Sequence, residues 1–364
     1  PTAPAAVPRR GNRLDDEVTN ELGMALAPHR NSFIAIERLV ADRCGISDEA
    51  CAWLLECLTG SNKLERLSLE GNEMASRGAQ SLVPCMRHPS CSLKSLSVGG
   101  NRLGAQDGVQ IAEALLAHPS LTALELQCND LRDEGVLAIL RAASNCTELC
   151  LLNVCATGCG ATAAGALGQL VQCSPSLGDL RVAHNRLGDR GAGVLASALR
   201  LSKSLRSLDM SYNAFGRGSA CLIGDGLRAN GTLLYLSLAG NPLSQEVARC
   251  LCEGVAENRA LLKLDVTRCG LDEAGLAELQ QAVLGNSALR ELRCGANNAP
   301  RSAQDACAQA VHDPRRELRD GLDIQGEVEQ LRRASLERHA NLRTAAELAG
   351  LAGPVAPPGA EGVE

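Results

Sequence analysis

The chain repeats one pattern of apolar and polar positions ten times. Each copy follows the frame Leu-x-x-Leu-x-Leu-x-x-Asn-x-Leu, and successive copies begin 28 residues apart, with a single interval of 29. A unit of this size has an apolar face that only a neighbouring copy can cover, so the period predicts a stacked repeat array. The copies begin at Ile36, Leu64, Leu93, Leu121, Leu149, Leu177, Leu205, Leu233, Leu261 and Leu289.

Each copy is predicted to hold one short strand and one helix. The alternation around Leu67 and Leu69 places both leucines on one face of a strand. A helix follows, as in residues 191–199, where apolar residues lie three and four positions apart. A strand, a crossover helix and the next parallel strand form a right-handed unit, so ten copies predict one parallel sheet with every helix on the same side. Since strands lie about 4.8 Å apart and helices about 10 Å apart, we expect a horseshoe with the sheet inside.

The ninth position of the frame is Asn in seven of the ten copies. A buried Asn can both donate to and accept from backbone groups that lose their partners where a strand ends. Cys44, Thr157 and Cys269 occupy this position in the other three copies and offer a weaker donor. The frame resembles the leucine-rich repeat, and the length of the unit resembles the ribonuclease-inhibitor-like subfamily over residues 34–298. This resemblance implies an α/β leucine-rich repeat solenoid that binds another macromolecule on its curved surface.

Two appendages flank the repeats. We expect a flexible N-terminal tail and capping segment at residues 1–33, the solenoid at 34–298, a capping and helical extension at 299–349, and a disordered tail at 350–364. The first helix of the extension would cover the open apolar end of the tenth repeat. The stretch 323–347 has apolar residues at helical spacing and is predicted either to dock a partner or to remain a solvated helix. The chain begins at Pro1 rather than Met, so we also expect sequence upstream of it.

The charge and hydropathy of the chain narrow its partners. A net charge of -6 argues against nucleic acid, which would require a basic stripe. No run of about 18 apolar residues is found, so we expect no membrane partner. The predicted location is cytoplasmic, with the axoneme of a cilium or flagellum as the alternative.

Seventeen cysteines are spread along the repeats without any C-x-x-C pair. Several occupy core or Asn-column positions, among them Cys44, Cys269 and Cys294. We therefore interpret the cysteines as small buried hydrophobic residues in a reducing compartment. The alternative is a metal site or redox pair, for which the C-x-x-x-C spacings are weak evidence because no His flanks them. That alternative would involve Cys146, Cys150, Cys155 and Cys159.

The sequence contains no recognisable catalytic motif. Neither the P-loop pattern G-x-x-x-x-G-K-[ST] nor H-E-x-x-H occurs. We therefore predict that the chain is not an enzyme and has no catalytic residue, cofactor, metal or small-molecule substrate. The resembling family includes GTPase activators of the Ran cycle, which place an Arg on an inserted rim loop, and inhibitors of nucleases. The constant spacing leaves no room for that insertion, which argues against a GTPase activator. A regulator of a small GTPase or of a nuclease is therefore only an alternative to the main prediction. A second alternative is the ligand-sensing fragment of a NOD-like receptor.

The frame also predicts which side chains face outward from the strands, at the third, fifth, seventh and eighth positions of each copy. Repeats three and eight present mainly Ser, Gly and Ala there, whereas other repeats present charged and aromatic groups. Because Tyr and Arg are frequent binding anchors, we predict a partner-binding concave strip, with simple solvation of the strands as the alternative. The predicted function is a non-enzymatic scaffold that holds a protein partner on this strip, either alone or as a subunit of a cytoskeletal or ciliary assembly. The concave strip comprises Asp179, Arg181, His184, Asp209, Tyr212, Tyr235, Lys263, Asp265 and Arg268.

Overall fold

A computed structural model describes residues 14–27, 36–216, 219–243 and 245–312 of the chain. Within these residues, strands and helices alternate along the sequence. The strands are β1 Arg38–Val40, β2 Arg66–Ser68, β3 Ser95–Ser97, β4 Ala123–Glu125, β5 Leu151–Asn153, β6 Asp179–Arg181, β7 Ser207–Asp209, β8 Tyr235–Ser237, β9 Lys263–Asp265 and β10 Glu291–Arg293. The helices are α1 Asp16–Leu26, α2 Asp48–Leu58, α3 Ser76–Arg87, α4 Ala105–Ala117, α5 Arg132–Ala143, α6 Ala164–Cys173, α7 Gly188–Leu199, α8 Ser219–Ala229, α9 Gln245–Glu257, α10 Glu273–Leu284 and α11 Arg301–Gln309, followed by a short 3-10 turn Ala310–His312.

The ten strands form one parallel sheet in chain order, from β1 to β10. Paired residues are one repeat apart, as in Arg38 opposite Arg66, and the step from Arg66 to Ser95 carries the single 29-residue interval. One helix follows each strand and packs against the helices before and after it. The predicted α/β leucine-rich repeat solenoid is therefore confirmed.

Each strand buries one side, and every strand except β5 leaves the other side partly exposed. The middle residue of every strand is Leu, from Leu39 to Leu292, and its exposed fraction never exceeds 7%. The flanking strand residues are mostly half-buried. Burying one such leucine contributes about 1.5 to 3 kcal/mol, and the contribution recurs in every repeat. These leucines belong to a continuous apolar core that extends from Leu14 to Val311. The core consists mainly of aliphatic side chains, since Phe215 is the one fully buried aromatic residue among the described residues.

The Asn column ties neighbouring repeats together as predicted. The side-chain oxygen of Asn185 accepts from the backbone N–H groups of Thr157 and Cys159, at 3.2 and 3.1 Å. Its amide nitrogen donates to the carbonyls of Val154 and Val182, at 2.8 and 3.0 Å. Two of the three non-Asn substitutes form similar contacts: Thr157 donates to Val154 at 2.8 Å, and the Cys269 thiol lies 3.3 Å from the carbonyl oxygen of Leu238.

Helices pack over both ends of the core. At the first end, α1 packs against α2, and the backbone N–H of Leu14 donates to the carbonyl of Cys44 at 3.0 Å. At the last end, α11 packs against α10 and buries Cys307. Residues 1–13, 28–35 and 313–364 lie outside the described residues. The N-terminal segment 1–33, the extension 299–349 with its helical stretch 323–347, and the tail 350–364 therefore stay predictions.

The cysteines only partly follow the interpretation as buried and reduced. Most of the free cysteines are buried or half-buried, but Cys128, Cys150 and Cys173 are exposed. In addition, Cys221 of α8 and Cys250 of α9 form a disulfide, with their Cα atoms 4.7 Å apart. For these five residues the prediction of small buried thiols was wrong.

Glycines explain why α8 and α9 approach closely enough for this bond. A side-chain carbon on Gly224 would overlap the carbonyl of Cys250, and one on Gly254 would overlap the backbone of Gly224. The two helix backbones are therefore in direct contact, which brings Cys221 and Cys250 together. The sequence hides this pairing because the two cysteines are 29 residues apart and no short motif joins them.

Candidate functional site

The register of the sheet arranges the strand residues of the concave strip in two parallel rows across β6 to β10. The first row is Asp179, Ser207, Tyr235, Lys263 and Glu291. The second row is Arg181, Asp209, Ser237, Asp265 and Arg293. Six of the nine predicted residues therefore share one continuous patch on the side of the sheet opposite the buried leucines.

The positive charges of the strand rows are largely neutralised within the chain. Arg181 pairs with Asp179 on its own strand at 2.6 Å. Burial is the largest effect and opposes the charge on Arg181, but the hydrogen bond to Asp179 and the charges of Asp179 and Glu125 together outweigh it and raise the pKa of the guanidinium. Glu291 accepts from both Lys263 and Arg293, each at 2.7 Å. These cations are thus less available to an external partner than the sequence suggested.

Asp209 and Asp265 are the opposite case. Asp209 accepts from the backbone N–H and the hydroxyl of Ser211, at 3.1 and 2.7 Å, and Asp265 accepts from the backbone N–H of Thr267 at 2.9 Å. Among the described residues neither carboxylate forms an ion pair. Burial and the nearby Asp209 carboxylate raise the pKa of the Tyr235 phenol, which therefore stays protonated at neutral pH. The centre of the patch presents carboxylates and a neutral phenol.

The other three strip residues lie where the chain leaves the strands. The eighth position of every repeat has a left-handed backbone, with φ between 51° and 68°. Glycine adopts this conformation freely, whereas other residues lose about 1 to 2 kcal/mol. Gly occupies this position in three copies, so the sequence alone could have indicated the left-handed backbone. The ten residues of this left-handed ladder are Arg43, Gly71, Gly100, Cys128, Ala156, His184, Tyr212, Gly240, Arg268 and Ala296.

Two neighbours in the ladder form an aromatic stack. The rings of His184 and Tyr212 have centroids 4.4 Å apart and planes inclined by 9°. The Tyr212 ring in turn lies over Gly240, where a side-chain carbon would overlap it. Arg268 follows Gly240 in the ladder and is exposed. The three strip residues thus line the edge of the sheet, but Arg268 is separated from the stack by one repeat.

An open depression of about 740 Å³ adjoins the stack at the carboxyl ends of the middle strands. Sequence reasoning missed most of its lining, because that lining comes from small ladder residues and from the loop positions that follow the Asn column. It is lined by Asn101, Cys128, Asn129, Asp130, Ala156, Gly158, His184, Asn185, Arg186 and Tyr212.

The described residues do not assemble a metal site. No three His, Cys, Asp or Glu side chains in this part of the chain are close enough to hold an ion. Of the four cysteines considered for such a site, Cys146 and Cys159 are buried, Cys155 is half-buried and Cys150 is exposed. Burial raises the pKa of the Cys159 thiol to about 12, so it is protonated at neutral pH.

No helix among the described residues has the length and apolar character needed to cross a membrane.

Comparisons with known proteins match the repeats. The Leucine Rich repeat family model matches residues 60–83, 117–140 and 173–196. The chain is 33% identical over 164 residues to NACHT, LRR and PYD domains-containing protein 5 of Bos taurus, covering 43% of this chain and 15% of that protein. It is 32% identical over 183 residues to NACHT, LRR and PYD domains-containing protein 9B of Mus musculus, covering 49% and 18%. The chain therefore spans less than a fifth of the length of these relatives.

Two solved structures are similar to parts of the chain. One is the tropomodulin C-terminal domain of Caenorhabditis elegans, with a TM-score of 0.34, 17% identity, and coverage of 40% of this chain and 92% of that one. The other is the Arabidopsis receptor kinase HAESA in complex with a peptide hormone and a co-receptor, with a TM-score of 0.40, 18% identity, and coverage of 64% and 38%. The family model and the ten-stranded sheet both support the presence of leucine-rich repeats in this chain.

Proposed function

We propose that this leucine-rich repeat chain is a non-enzymatic scaffold that binds a protein partner on the concave face of its sheet, through the concave strip. The observation that carries the proposal is the arrangement of the patch around Tyr235. Asp209 and Asp265 lie on either side of Ser237 in the row beside it, and neither carboxylate has an ion-pair partner among the described residues. A partner can satisfy both carboxylates without breaking any ion pair of the scaffold.

The composition of the patch favours a protein over other partners. It combines a phenol, two carboxylates and a stacked aromatic pair along one edge. Aromatic residues of this kind dominate the binding energy of protein interfaces. Ten strands at about 4.8 Å each give an arc of roughly 43 Å, which accommodates a folded domain or a helix of a partner. With a net charge of -6, nucleic acid is a poor alternative.

We also assign the repeats to the ribonuclease-inhibitor-like subfamily with 28-residue units. Support comes from the sheet register, in which paired strand residues such as Leu39 and Leu67 are one such unit apart. A full α-helix follows each strand, which agrees with this assignment. The cytoplasmic location, its ciliary alternative and membership of a cytoskeletal assembly stay predictions.

A second candidate function follows from the relatives. Proteins named for NACHT, LRR and PYD domains match this chain over only 15% and 18% of their own length. The chain would then be the repeat portion of a larger receptor-like protein, and its partner a ligand sensed by that protein. The sequence of the complete transcript separates the two candidates, since a nucleotide-binding region in the same protein supports the second. A regulator of a GTPase or nuclease stays a prediction.

The proposal is tested by affinity capture followed by mass spectrometry, using the intact chain and two multiple variants. The strip variant changes Asp209, Tyr212, Tyr235 and Arg268 to Ala. The control variant changes three exposed charged residues of the helical side, Arg141, Arg200 and Glu278, to Ala. Partners that the intact chain and the control retain should be lost from the strip variant. Retention of the same partners by the strip variant would overturn the proposal.

A further inference from the structure

We propose that the depression beside His184 is a binding site for a planar aromatic side chain, which extends the His184–Tyr212 stack by one ring. The proposal rests on the proposed function, because the aromatic group would belong to the protein partner held on the concave face. It adds a defined anchor site and the chemical class of the group that fills it.

The stack has one closed end and one open end. Gly240 lies under one face of the Tyr212 ring and His184 covers the other face. Because the ladder runs in order along the sheet, the second face of the His184 ring points toward the preceding repeat. His184 remains exposed despite its contact with Tyr212. A flat surface of the imidazole is thus available on the side of the depression.

The next two positions of the ladder leave this space open. They are Ala156 and Cys128, which have the same left-handed backbone as His184 but only small side chains. Gly158 completes the floor. Adjacent strands lie about 4.8 Å apart, close to the centroid spacing of stacked rings, so a ring placed over Ala156 falls at stacking distance from His184.

The Asn side chains that line the depression are already hydrogen-bonded, which favours an apolar ring over a group that needs hydrogen bonds. The amide of Asn129 donates to Val98 and Leu126, at 3.0 and 2.9 Å, and its oxygen accepts from Leu103 at 3.2 Å. Asn185, on the same side, is bonded to backbone groups in the same way. These amides position the chain and have little capacity left for a ligand.

The charges around the depression favour a neutral ring over a guanidinium. Asp130 is neutralised by Arg132 at 2.7 Å. Arg186 is exposed at the site, and within the described residues it forms no ion pair. A second guanidinium would be repelled by Arg186, whereas an aromatic ring can be attracted to it through its face. We therefore assign the site to Trp, Tyr or Phe of a partner rather than to Arg.

Nuclear magnetic resonance of the intact chain tests this assignment, with indole as the probe. Histidine Cε1–H signals are followed, and the His184 signal is identified by its loss in His184→Gln. We expect a saturable upfield shift of the His184 signal with indole, and none with cyclohexanol at the same concentrations. Absence of the shift with indole, an equal shift with cyclohexanol, or stronger binding of ethylguanidinium would each overturn the proposal.

Two matched variants locate the binding. Ala156→Tyr places a ring in the depression and should weaken indole binding at least about tenfold by occupying the stacking position. Ala296→Tyr introduces the same residue at the same left-handed position of the last repeat and should leave binding unchanged. Equal binding by both folded variants would contradict the site, and Ala156→Leu provides a second blocking variant should Ala156→Tyr unfold.

This result is separable from the proposed function. If indole fails to bind while the strip variant loses its partners, only the aromatic site is wrong. If indole binds while the strip variant keeps its partners, the site stands and the proposed function fails.

Discussion

The imidazole of His184 lies flat against the phenol ring of Tyr212, with centroids 4.4 Å apart, although the two residues are one repeat apart in the chain. Both residues have the left-handed backbone that the eighth position of every repeat adopts. The sheet places neighbouring ladder positions about 4.8 Å apart, which is suitable for stacking. Neighbouring aromatic residues at this position therefore stack as a consequence of the repeat geometry.

Gly240 is expected to support this stack. Gly240→Ala forces a side-chain carbon into the Tyr212 ring and places Ala at a φ of 68°. We expect a loss of about 2 to 4 kcal/mol in the free energy of unfolding, since backbone strain and overpacking add. The measurement is urea unfolding.

Gly45→Ala is the matched control for Gly240→Ala. Gly45 has a similar φ of 74° but no atom within 4 Å of the added carbon. The Gly45→Ala variant should lose only about 1 kcal/mol in the free energy of unfolding, which is the contribution of backbone strain alone. The excess loss at Gly240 should also shrink in a Tyr212→Ala background, and equal losses at the two glycines would contradict the steric explanation.

Ala156→Gly is expected to stabilise the chain. Ala156 has a φ of 52°, where Gly has no steric penalty. Relief of that strain exceeds the entropy lost by Gly, so we expect a gain of about 0.5 to 1 kcal/mol. Ala138→Gly, inside the right-handed helix α5, should instead lose a similar amount. Thermal unfolding of both variants checks the signs, and a loss at both positions would contradict the prediction.

We expect the Asn residues of the column to contribute more to the free energy of unfolding than the residues that replace Asn. Asn185→Ala removes acceptors for the N–H groups of Thr157 and Cys159 and the donor to Val154, leaving buried backbone groups unpaired. We expect the free energy of unfolding to fall by about 3 kcal/mol or more, because each unpaired buried group costs about 1 to 3 kcal/mol.

Thr157→Val is the comparison for Asn185→Ala. The Thr157 hydroxyl donates to the Val154 carbonyl at 2.8 Å and lies 3.3 Å from the side-chain oxygen of Asn185. Its replacement by an isosteric apolar residue should cost about 1 kcal/mol. Chemical unfolding of both variants measures the difference, and a larger loss for Thr157→Val would show that the column does not work as described.

The sequence predicted the architecture because the repeat frame constrains it directly. Alternating Leu positions such as Leu67 and Leu69 determine which side of a strand is buried, and the constant period determines the register. The frame also placed Asp209, Tyr235 and Asp265 on the outward side. Their role in binding stays a proposal.

The rest of the site depends on contacts that the frame does not specify. Whether Arg181 serves a partner or pairs with Asp179 is decided by side-chain geometry on one strand. The depression beside His184 arises from the small size of Ala156 and Cys128. This feature becomes visible only when neighbouring repeats lie side by side in the structure. The disulfide depends on Gly224 and Gly254, which lie on different helices.

Reduction of the Cys221–Cys250 disulfide is expected to weaken the solenoid around α8 and α9. The bond closes a loop of 29 residues, and a loop of this size contributes about 3 to 4 kcal/mol by restricting the unfolded chain. We expect dithiothreitol to lower the urea midpoint of the intact chain, with the disulfide verified by mass spectrometry before and after reduction. Cys221→Ser should show the lower midpoint under both conditions. Cys173→Ser, which removes an exposed free thiol on α6, should respond to reduction like the intact chain. Identical midpoints for the oxidised and reduced intact chain would show that close packing at Gly224 and Gly254, rather than the covalent bond, holds the two helices together.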